Sequence, residues 1–177
     1  MTVATALKRR LRYLRNWEFG NVLLIPAVVA CMWRSSGDPV AAWHLRWIGL
    51  AFVSYLLLQG GGYWHLKLRM VGQSDHALPA WFWPVFSTLR RTNPVLMVGA
   101  AAYMGAVEGA AFDDRAWGLV VLALAYVEHV NYYVRQLMHD TEADVAYLRR
   151  YRRLRRAPLR RDLDAVHGAR QAEDVGR

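Results

Sequence analysis

The sequence predicts an all-α membrane protein with four transmembrane helices and both termini in the cytoplasm. Three observations carry that reading. The chain of 177 residues is 55% apolar yet bears a formal charge of +9. The charge is concentrated at the two ends and in one loop, leaving four long apolar stretches between. Basic residues also divide unevenly among the connections. They crowd the N-terminal arm, the 66–92 loop and the region after the fourth stretch, and only Arg34, Arg46 and Arg115 lie elsewhere. By the positive-inside rule this orientation puts N and C termini inside, in the plasma (cytoplasmic) membrane.

The elements follow in order. Residues 1–16 form a basic cytoplasmic arm with Lys8, Arg9, Arg10, Arg12 and Arg15. A transmembrane domain covers 17–140. Its first span, 17–33, is short for a bilayer of about 30 Å. Pro26 is expected to kink it, with Trp17 and Trp33 marking the interfaces. The run Val28, Val29, Ala30, Cys31 also looks like a lipoprotein processing site, but the flanking tryptophans and three further spans fit a retained helix better.

The second span is 43–64. Arg46 is expected to snorkel to the outer interface, and Gly60, Gly61 and Gly62 allow a very close approach. Residues 78–86, aromatic and too short to cross, read as an interfacial segment between the second and third helices. The third span, 94–112, carries Ala101, Gly105 and Gly109 at small-xxx-small spacing, which predicts tight helix packing. The fourth is 116–139. Asp140 or Thr141 would cap an arginine-rich juxtamembrane helix over 141–161, a basic cytoplasmic C-terminal helix ended by Pro158. Residues 162–177 read as a disordered tail.

Candidate chemistry sits in the fourth span. At about 100° per residue, Glu128, Tyr132, Arg135 and His139 share a stripe flanked by Asn131 and Gln136. Aligning Trp43 with Trp117 sets Gln59 level with Tyr133 and brings Tyr63 to the same depth. Glu18, Asn21 and Asn93 add polarity from the other spans. The expectation is a cytoplasm-facing polar pocket lined by Gln59, Tyr63, Asn131, Tyr132, Arg135, Gln136 and His139. Glu128, too deep to snorkel, is the candidate acid or base. The competing account is packing and anchoring, because Asn and Gln between helices are ordinary glue worth about 1 kcal/mol each.

Several classes drop out. There is no HExxH, P-loop, GxGxxG or CxxC motif, and Cys31 alone makes no disulfide framework. Glu128, His139 and Asp140 give only a weak ligand set, so no metal is predicted and the cofactor is unknown. Arg149, Arg150, Arg152, Arg153, Arg155 and Arg156 adjoin a span, which points to anionic membrane lipid headgroups as partner and not to nucleic acid. The functional expectation is a binding protein whose pocket takes a lipid headgroup, a lipophilic small molecule or a partner helix. The alternatives are a small membrane enzyme using Glu128 and a transporter or channel built as a homo-oligomer.

Overall fold

The computed structural model describes residues 3–35, 37, 40, 43–71, 78–139 and 142–175. Six helices run in order: α1 (Val3–Ser35), α2 (His44–Met70), α3 (Phe82–Ala106), α4 (Phe112–Tyr133), α5 (Glu142–Tyr151) and α6 (Pro158–Val175). Among the described residues the protein is all-helical, as the sequence predicts, but no helix is long and apolar enough to cross a membrane. This overturns the four transmembrane helices, the inside orientation of both termini and the multi-pass placement in the cytoplasmic membrane.

The physical reason is interruption. Helices α1 to α4 each keep a largely apolar stretch of only about twelve residues: 22–33, 47–58, 94–106 and 116–127. At 1.5 Å per residue that is about 18 Å, against roughly 30 Å of hydrocarbon. The expected spans were lengthened by residues that are not helical. Residues 107–111 form the turn before α4, and α4 stops at Tyr133 instead of running to 139.

Other boundaries shift as well. The basic arm is continuous with α1, which runs on through Pro26. The aromatic segment is no separate interfacial piece, because residues 82–86 are the first turns of α3. The C-terminal arginine helix is two helices. Arg152 adopts a left-handed φ of 48° and ends α5, and Pro158 opens α6 instead of closing a helix. Proline at a first helical position gives up a donor that has no partner there anyway. Residues 162–175, within the stretch expected to be a disordered tail, are therefore helical. Asp140 and Thr141 lie outside the described residues.

Helix α2 sits at the centre, packed on α1 and α4. It is parallel to α4: Leu45 N–H and Arg46 N–H donate to the Asp114 carboxylate at 3.1 and 3.2 Å, and Tyr133 Oη donates to Gln59 Oε1 at 2.7 Å. Asp114 thus caps α2 from another helix, supplying the acceptor that Trp43 at the N-cap does not. A Cβ on Gly49 would come within 2.8 Å of the Gly118 carbonyl oxygen, and one on Gly118 within 2.9 Å of that of Leu45. The tight small-residue contact is therefore between α2 and α4. The expected ridge does not make it: Gly105 faces open space, and Gly109 is a turn residue with φ 73°.

Arg46 does not snorkel. It is 2% exposed, with its guanidinium over the Trp33 and Trp43 rings and Nε 3.5 Å from Asp114. Trp33, expected to mark an interface, is a core residue, as is Trp43. At the other end Leu159 and Leu163 of α6 join the core with Tyr63, Phe82 and Phe86.

Candidate functional site

A cleft of about 380 Å³ opens where the start of α1, the end of α2 and the strap after α4 meet α5 and α6. Its apolar wall comes from the first half of α1. Leu7, Leu11, Leu14 and Glu18 recur at helical spacing, so one face of the basic arm lines the cleft. Leu159 and Met138 complete that wall, while Arg10, Lys67, Arg155 and Arg161 supply cations.

The strap exists because α4 ends under side-chain control. Asn131 Oδ1 accepts the N–H groups of Leu137 and Met138 at 2.8 and 3.4 Å. Gln136 N–H then donates to the Arg155 carbonyl at 3.0 Å, and Ala157 N–H to that of Val134 at 3.4 Å. These bonds tie the end of α4 to the segment entering α6.

Tyr132 reaches the cleft across α2 because Gly60 has no side chain; a Cβ there would fall 2.5 Å from the ring. The Tyr132 hydroxyl donates to Glu18 Oε2 at 2.5 Å. Burial pushes Glu18 up to about 7, with Glu128 adding to the rise while Tyr132 and Trp64 hydrogen bonds oppose it. Burial also raises Glu128, against hydrogen bonds from Asn131 and Tyr132. Burial likewise holds Tyr63 and Tyr132 above the ordinary tyrosine range, so both stay protonated.

Across the cleft, Asp162 accepts from Tyr63 Oη at 2.8 Å and pairs with Lys67 at 2.9 Å. Asp144 pairs with Arg155 at 3.1 Å and Arg10 at 3.8 Å. The cleft thus sets an apolar wall beside four basic groups, three of which pair with Asp144 or Asp162.

Of the residues expected to line a pocket, Tyr63, Asn131, Tyr132 and Gln136 do so together. Gln59 does not. It is buried beside Asn93 Nδ2, which donates to it at 2.9 Å, and Tyr133, as core packing. Arg135 lies in a separate groove. His139 Nδ1 stays 2.9 Å from its neighbour's carbonyl at Leu137. Glu128 does not line the cleft; the carboxylates that do are Glu18, Asp144 and Asp162. Of the six tail arginines only Arg155 lines the cleft; Arg153, Arg155 and Arg156 line the groove. The metal alternative depends on Asp140, outside the described residues.

Sequence reasoning missed Glu18 as the principal acid, and with it Arg10, Trp64, Lys67, Asp144, Arg161 and Asp162. The spacing Leu7, Leu11, Leu14, Glu18 was the available signal, and reading the arm only as charge concealed it. No protein family, no curated protein and no solved structure matches the chain.

Proposed function

We propose that this protein binds a single-chain amphiphile with an anionic head. The cleft supports the reading: Leu7, Leu11, Leu14 and Leu159 offer an apolar wall, and Arg10, Lys67, Arg155 and Arg161 offer charge beside it. Its volume of about 380 Å³ lies in the range of small-ligand sites. Burial of the chain against leucine supplies affinity, at about 25 cal/mol per Å² before the costs of association. The cations fix which end of the ligand lies outward.

Calorimetric titration with dodecanoate tests this. One molecule should bind per chain, with a Kd of about 10 μM. Leu14→Trp, which fills the cleft, should weaken binding at least about tenfold. Leu23→Ala, on the exposed outer face of α1, should leave it unchanged. Binding of several molecules with no response to Leu14→Trp would show adsorption to the outer faces and sink the proposal.

A further inference from the structure

Beside the cleft lies an open groove of about 700 Å³, lined by Tyr147, Arg135, Arg153, Arg155, Arg156 and Arg161 with Leu154. Among the described residues no carboxylate lines it. Arg135 comes from the end of α4, and the other four lie between residues 153 and 161. The left-handed turn at Arg152 reverses the segment after α5, and the Arg135–Arg156 bridge fastens it antiparallel to the end of α4. The fold therefore holds five guanidinium groups in one place. Accumulating like charge this way is unfavourable unless an anion offsets it.

Two of the five already have carboxylate partners. Asp144 pairs with Arg155 from the cleft side. Asp164 pairs with Arg156 at 3.6 Å, Arg160 at 3.2 Å and Arg90 at 3.9 Å. Arg155 also stacks over Tyr147 at 4.3 Å, which orients its fork. Arg155 and Arg161 line both the groove and the cleft. One ligand can thus lay its chain in the cleft and its head in the groove.

We propose that the groove takes a phosphate group, and that the ligand of the cleft is a phosphate-headed amphiphile. This rests on the amphiphile reading above. A phosphomonoester carries nearly two charges and three acceptor oxygens, and arginine forks match them bidentately. A carboxylate offers one charge and two oxygens, fewer than a phosphate offers Arg135, Arg153 and Arg161 beyond the pairs already made.

The test compares dodecanoate, 1-dodecanoyl-glycerol-3-phosphate and inorganic pyrophosphate on the full chain by calorimetry. The phosphate amphiphile should bind about tenfold tighter than dodecanoate. Pyrophosphate should bind at least about tenfold more weakly than the phosphate amphiphile. In the double variant Arg153→Gln, Arg156→Gln, the advantage of the phosphate head should fall below about threefold, with dodecanoate affinity unchanged. Both side chains are exposed, and circular dichroism will show the variant folded. Equal affinity for the two amphiphiles overturns this inference and leaves the amphiphile reading standing. An advantage that survives the double variant also overturns it. Pyrophosphate binding as tightly as the phosphate amphiphile would make the groove a free-phosphate site unconnected to the cleft. Failure of both amphiphiles to bind sinks both proposals.

Discussion

At the scale of single residues, the Glu18–Tyr132 pair sets the pH behaviour. Glu18 is raised from 4.5 to about 7, first by burial. A carboxyl raised on folding favours the protonated state, so its contribution is fully present below the unfolded value and is lost as pH rises through about 7. The gap between 4.5 and about 7 amounts to roughly 3 kcal/mol. Glu18→Gln keeps an amide in place to meet Tyr132 and Trp64 but cannot ionise. Its melting temperature should fall less between pH 5 and pH 8 than that of the wild type, by about 6 °C. Identical pH slopes in the two proteins would show that Glu18 does not titrate in this range. Sequence reading came near this group without ranking it correctly. It found Glu128 because the residue interrupts an apolar run, which is a local property. Glu18 faces the cleft only because α1 packs against α2 and Gly60 admits Tyr132, and those are contacts between distant segments.

At the scale of elements, the parallel register of α2 and α4 was legible: aligning two tryptophans placed Gln59 beside Tyr133, and the two are hydrogen bonded. The choice of contacting ridge was not legible. Ala101, Gly105 and Gly109 have the right spacing in sequence, yet the close approach is made by Gly49 and Gly118, one on each helix. A spacing rule detects repeats within one helix, whereas a single glycine facing a single glycine leaves no repeat. The C-terminal helices were misread for a similar reason. Pro158 and the arginine run suggest an end, but Ala157, Leu159 and Leu163 are buried against the core and make α6 a packed helix. Gly118→Ala puts a methyl group within 2.9 Å of backbone atoms that cannot swing aside. It should cost about 2 kcal/mol, a fall of about 6 °C in melting temperature. Gly105→Ala meets nothing and should be neutral or stabilising by up to about 1 kcal/mol. Equal effects of the two substitutions would show that α2 and α4 do not touch there.

At the scale of the whole molecule, the apolar content is divided between two surfaces. One side of each long helix packs inward, α1 and α4 on α2 and α3 chiefly on α4, and the other is left outside. Leu23 is 76% exposed, Val95 and Val98 are each 70% exposed, and Phe112 is 81% exposed. A stretch of about twelve apolar residues reads from sequence as uniformly hydrophobic, and nothing in it separates the inward half from the outward half. That is why the membrane reading was natural and why the six-helix arrangement could not be drawn from composition. Exposed apolar surface of this kind promotes association in water, because each contact removes apolar area from solvent. These residues contribute little to the fold, since their side chains gain little burial within it. The triple variant Leu23→Gln, Val95→Thr, Val98→Thr should therefore separate association from stability. Light scattering at equal concentration in detergent-free buffer should show a larger monomer fraction than for the wild type. The melting temperature in dilute solution should change by less than about 3 °C. An unchanged monomer fraction would show that these faces do not drive association. A loss of about 10 °C would show that they are packed within the fold, contrary to the exposure of all three side chains.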